Sequence, residues 1–206
     1  KKFANYNNVS IPGCYPTSIL LPLIPLLDNK LIDSNNIIID SKSGYSGAGK
    51  NFDLSLIKNS IDYNFYNYQT NTHRHICEIQ QELNKYSSSD VNFSFNPHIL
   101  PVFRGMMSTI YCDLLDGIKI KDVKKIYKKF YYNMNFVKFI EDDTHIDFFS
   151  VQNTNNCFIK IFKHCSDNKL IVVSVIDNLI KGSSGQAIQC FNIMYDFDES
   201  LSLSAL

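Results

Sequence analysis

Residues 12–27, Pro-Gly-Cys-Tyr-Pro-Thr-Ser-Ile-Leu-Leu-Pro-Leu-Ile-Pro-Leu-Leu, constrain this chain more than any other stretch. Gly13 lets the backbone turn sharply, and Pro16 carries the fixed φ that suits the first turn of a helix. Cys14 therefore sits where a loop enters a helix, facing unpaired N–H groups and the positive end of the helix dipole. Both favour a thiolate, the nucleophilic form of cysteine. A lone cysteine in a turn is more often a small buried hydrophobe; the flanking glycine and prolines bring the two readings level. The apolar run behind it predicts a helix over residues 17–27, buried on several sides. Pro22 and Pro25 interrupt it, each costing ~3 kcal/mol in a helix interior, so a kinked or short helix is expected.

With 206 residues the chain can bury a sizeable core. Its 20 basic and 20 acidic side chains cancel, so no global field argues for nucleic acid or an anionic membrane. The longest apolar run, residues 19–27, is far short of the ~18 residues that a membrane helix needs. Six scattered cysteines form no C-x-x-C pair, which argues against a disulfide framework or a zinc ribbon and fits a reducing compartment.

Further along, residues 37–39 read as a short buried strand feeding a loop of small and hydroxyl residues, 40–50. Backbone N–H groups in such a loop can approach a phosphate, although the Walker spacing is absent. Residues 62–68 alternate like a strand, and 93–103 and 107–115 are extended. His73, His75 and Cys77 would share one face if their stretch were extended, with a helix from Glu78 to Asn84. They are the right ligand types for zinc, but the spacing is not a common zinc spacing and no metal is expected. Residues 121–132 form an amphipathic helix whose five lysines read as a solvated face. Strands over 136–140, 156–162 and 170–176 precede a final helix over 184–194. Strands in series with few helices predict an α+β domain.

Five separated motifs then stand in one order: Pro12-Gly13-Cys14-Tyr15-Pro16-Thr17; Ser43 to Lys50; His73-Arg74-His75 with Glu78-Ile79; Pro97-His98 leading to Arg104-Gly105; and Asp177 to Gly182 followed by Gly185-Gln186-Ala187. In these the chain resembles the N-acetyl-γ-glutamyl-phosphate reductases over nearly its whole length. The resemblance implies a mixed, mainly antiparallel sheet with helices on one face, like the C-terminal domain of the glyceraldehyde-3-phosphate and semialdehyde dehydrogenases. The family's N-terminal Rossmann domain is expected to be absent here, since no G-x-G-x-x-G occurs. Residues 1–183 would be the catalytic and dimerisation domain. Residues 184–206 would be a helix and tail packing on the missing nucleotide-binding domain, which a partner chain could also carry.

The resemblance further implies a cytoplasmic, homo-oligomeric enzyme of arginine biosynthesis. It would reduce an acyl phosphate with NADPH through a thioester on Cys14, giving N-acetylglutamate 5-semialdehyde. The acid/base histidine lies in the His-Arg-His segment, His73 being favoured and His75 second. Arg74, Arg104 and Ser43 would bind substrate; Gly44, Ser46, Gly47 and Asn178 would line the cofactor side, Asn178 on the nicotinamide. Alternatives are an aspartate-semialdehyde dehydrogenase, an aminoadipyl-phosphate reductase, or a non-catalytic oligomerisation module left after loss of the Rossmann domain. Four positions depart from the family pattern: Ile11, Pro22, Cys77 in place of proline, and Lys50 in place of arginine.

Overall fold

A computed structural model describes residues 6–49, 52–59, 62–166 and 168–203. Its strands are β1 (Ile37–Gly44), β2 (Tyr66–Asn67), β3 (Phe93–Leu100), β4 (Met106–Asp113), β5 (Val137–Ile140), β6 (Cys157–Lys163) and β7 (Lys169–Ile176). They form one sheet in the order β2-β3-β1-β4-β7-β6-β5. Only β1–β3 and β5–β6 run parallel; the other four pairings are antiparallel. Helices α1 (Cys14–Asp28), α2 (His75–Asn84) and α3 (Ile120–Tyr131) pack on one face, and α4 (Gly185–Met194) closes the chain. The expected α+β architecture is the observed one. Alternation explains the face: on β1, Ile37 and Ile39 are buried under the helices while Ile38 is exposed on the other side.

Helix α1 is the central helix of the core. It runs unbroken through both prolines for 15 residues, longer than the kinked or short helix expected. The physical reason is tertiary. Pro22 leaves the Ser18 carbonyl without its helical donor, and the Ser174 hydroxyl donates to that carbonyl instead. Pro25 does the same to the Leu21 carbonyl, which accepts from the Tyr131 hydroxyl of α3. Tyr127 of α3 adds a bond to the Pro22 carbonyl at 2.7 Å.

Beneath α1 lies a row of serines. Ser41, Ser108 and Ser174 stand opposite one another on β1, β4 and β7. The Ser108 hydroxyl lies 2.7 Å from those of both Ser41 and Ser18. All four are fully buried, so each needs the partners it has.

Other expectations shift at their edges. Strand β1 continues through Ser43 and Gly44, which makes them strand residues, and a 3-10 turn follows at Tyr45–Ala48. Lys50 lies outside the described residues. Of residues 62–68 only Tyr66–Asn67 pair as a strand, on the sheet edge. His75 and Cys77 belong to α2, so the predicted extended alternation of His73, His75 and Cys77 does not occur. The final helix is entered through a π-helical turn, Ile180–Ser184.

Candidate active site

Cys14 is the first residue of α1, at the end that carries unpaired N–H groups. Two elements close around it. From α2, the His75 ring covers the preceding glycine so tightly that a Cβ on Gly13 would lie 2.5 Å from Nε2 of His75. From the turn after β7, Gly182 approaches so near that a Cβ there would lie 2.7 Å from that of Cys14. Both positions require the missing side chain. Helix α2 also holds the turn directly: the Gly13 N–H donates to Glu78 Oε1 at 3.0 Å.

The two histidines have different places. His73 is buried among the rings of Tyr15, Tyr68 and Phe95, and its Nδ1 accepts the His75 N–H at 3.1 Å. It thus supplies the acceptor that a capping serine or aspartate would give to the start of α2. His75 is partly exposed, with a buried Nδ1 that has no partner among the described residues. Burial, then the neighbouring His73 and Arg74, push its pKa down to about 4, so it is neutral near pH 7. His73 is shifted down as well, first by burial and then by Arg74.

The thiol departs from the sequence expectation. Burial raises the Cys14 pKa and outweighs the opposing pull of the Tyr15 and Cys14 backbone N–H groups and of Arg74; Glu78 adds to the rise. In this chain the thiol therefore holds its proton at neutral pH, and a neighbouring base is needed to remove it.

Among the predicted substrate residues, Arg74 is exposed beside this cluster and no described side chain pairs with it. Arg104 is committed elsewhere. Its Nη2 meets the fully buried Asp177 at 2.9 Å and its Nη1 donates to Asn153 at 2.7 Å. Asp177 also accepts the N–H groups of Asn153, Leu179 and Ile180, which ties down the turn bearing Asn178 and Gly182. The Ser43 hydroxyl is buried and donates to the Gly44 carbonyl at 2.9 Å.

The predicted cofactor residues form a second cluster beside the same turn. Asn178 accepts from the Gly105 N–H at 2.7 Å and donates to Ser46 Oγ at 2.9 Å. Gly47 leaves no room for a side chain, because a Cβ there would lie 2.8 Å from Ser43 Oγ. Thus residues 177–182 join the thiol cluster (Cys14, His75, Arg74) to the polar cluster (Ser43, Gly44, Ser46, Gly47, Asn178). Three contributors were not singled out as site residues from sequence: Glu78, Asp177 and Gly182. All three fall inside the quoted motifs, which was the available signal.

The site therefore brings together a thiol at a helix start and an imidazole against the preceding glycine, on a mixed sheet. The family model for the semialdehyde dehydrogenase dimerisation domain matches residues 14–178, and the chain belongs to that family. It is 45% identical over 203 residues to the N-acetyl-gamma-glutamyl-phosphate reductase of Caldicellulosiruptor bescii, covering 98% of this chain and 59% of that protein. It is 44% identical over 197 residues to the protein of the same name in Ehrlichia canis, covering 95% and 57%. The chain thus spans somewhat under two thirds of the length of these relatives. In fold it is similar to the aspartate semialdehyde dehydrogenase II of Vibrio cholerae, with a TM-score of 0.71, 16% identity, and 96% of this chain and 65% of that one covered. Among the described residues no helix is long and apolar enough to cross a membrane.

Proposed function

We propose that this chain is the catalytic and dimerisation part of an N-acetyl-γ-glutamyl-phosphate reductase. The observation that carries the reading is the Cys14–Gly13–His75 arrangement: a thiol at a helix N-terminus with a neutral imidazole against its neighbour. His75, rather than His73, is the acid/base residue, because Nδ1 of His73 is already occupied by the His75 N–H. His75 takes the thiol proton and the Cys14 sulfur attacks the γ-acyl carbonyl. Phosphate leaves and a thioester remains on Cys14. Arg74, the exposed guanidinium beside the thiol, is suited to the substrate's phosphate or carboxylate. Once a hydride is delivered to the thioester carbon, the same imidazole would give its proton to the alkoxide so formed; cleavage of the C–S bond, with the hydroxyl proton passing to sulfur, would then free the semialdehyde and the Cys14 thiol.

NADPH, when bound, supplies the hydride that takes the thioester to the semialdehyde. The residues present fit the nicotinamide end: Asn178 has one Nδ2 bond, to Ser46, and so keeps a second donor hydrogen. Gly44, Ser46 and Gly47 would line that side. No described residues form the glycine-rich strand-to-helix turn that holds a dinucleotide pyrophosphate. A Rossmann domain, in the same or a partner chain, completes the enzyme in this reading. It would cover the exposed Ile188, Phe191 and Phe197 of the segment 184–206. The face of the sheet away from the helices exposes Ile38, Tyr111 and Phe162, and there a second copy of the chain would pack. The six free thiols are consistent with the cytoplasm.

Mixing the chain with N-acetyl-γ-glutamyl phosphate tests the reading. One equivalent of phosphate and an acylated Cys14 peptide are expected, and neither in Cys14→Ser. Phosphate release without acylation of Cys14, or no release at all, would overturn it.

A further inference from the structure

The bond between Glu78 and the Gly13 N–H has no part in the proposed chemistry, yet it links the two elements that must stay in register. Gly13 precedes the nucleophile and its bare Cα is where the His75 ring rests. Glu78 lies three residues after His75 on α2, hence on the same side of that helix. Its Oε1 accepts the Gly13 N–H at 3.0 Å across 65 residues of sequence. At the other end of the turn, the carbonyl of Gly13 accepts both the backbone N–H and the hydroxyl of Thr17, each at 2.9 Å. Both polar groups of this peptide segment are thereby held, and its orientation is fixed.

We propose that Glu78 is a positioning residue. It clamps the Gly13–Cys14 turn onto α2 and so keeps the His75 ring against the residue before the thiol. A glutamine would keep an acceptor oxygen for the Gly13 N–H; an alanine would remove it. The inference rests on the proposed function for its catalytic meaning, but not for its test.

The test is hydrogen exchange at the Gly13 amide in the 206-residue chain. In Glu78→Gln that amide is expected to stay as protected as in the unaltered chain. In Glu78→Ala that amide should exchange at least tenfold faster. Equal Gly13 protection in the Gln and Ala variants overturns the clamp. Should Glu78→Ala fail to fold, loss of Gly13 protection in Glu78→Gln alone would also overturn the clamp. No substrate enters the experiment, so a failed acylation by acyl phosphate would not be mistaken for failure here.

Discussion

Ser174 on β7 donates its hydroxyl proton to the main-chain carbonyl of Ser18, the acceptor that Pro22 deprives of its helical partner. The two residues are 156 positions apart. Through this bond the sheet repairs the helix whose first residue is the candidate nucleophile. The serine row leaves small side chains under α1, and its hydroxyls bond one another besides. Fold and site are thus joined at the same helix.

Ser174→Ala should leave a buried carbonyl without a donor, a loss of about 1–3 kcal/mol. Pro22→Ala restores an N–H to the helix at the position that serves Ser18. The double variant is therefore expected to lose less than the sum of the single changes, by ~0.5 kcal/mol or more. Urea unfolding of the four proteins measures this. Strict additivity would show that the hydroxyl does not compensate for the proline.

His75→Asn should slow acylation of Cys14 by about 10²–10⁴, the usual worth of a general acid–base group. His73→Asn keeps a side-chain acceptor two residues before the His75 N–H, as in an Asx-turn, and should cost less than tenfold. Rapid-quench phosphate release separates the two; the reverse order would move the role to His73. The pH dependence follows in sign. The folded pKa of His75 is about 4, below the ordinary 6.5, so the native state binds fewer protons than the unfolded chain between those values. Its contribution to stability is full above about 6.5 and is lost as pH falls towards 4.

Lys181 is buried in the turn beside Gly182, donating to Gln189 at 2.7 Å with its ammonium over Phe136. Burial brings its pKa down to about 8 from the ordinary 10.5. The unfolded chain then binds more protons between those values, so stability rises with pH across the window, by about 3 kcal/mol in all. Buried Cys112 and Cys157, pushed up to about 12, act in the opposite direction. The informative quantity is the difference between the unaltered chain and Lys181→Met, followed by denaturant unfolding from pH 7 to 10. That difference should shift in favour of the unaltered chain as pH rises. A constant difference would mean that Lys181 is charged throughout.

Local chemistry alone determined a good deal about this protein. The glycine–cysteine–proline turn placed Cys14 at a helix start, as observed, because the turn and the helix start both depend on residues within four positions. Runs of β-branched and aromatic residues placed β4, β6 and β7 to within a residue or two, and β3 to within three at its end, since strand pattern is also local. The ordered motifs held almost every residue that meets in the candidate site. Tertiary structure decided the rest. Whether α1 survives two prolines depends on Ser174 and Tyr131, more than 100 residues away, and no window around the prolines contains them. Which histidine is free depends on α2 starting at His75, so that its N–H occupies Nδ1 of His73. The protonation of Cys14 reverses for the same kind of reason. The helix start that favours a thiolate is written in the neighbouring sequence, but the burial that outweighs it is assembled from α2 and the turn after β7.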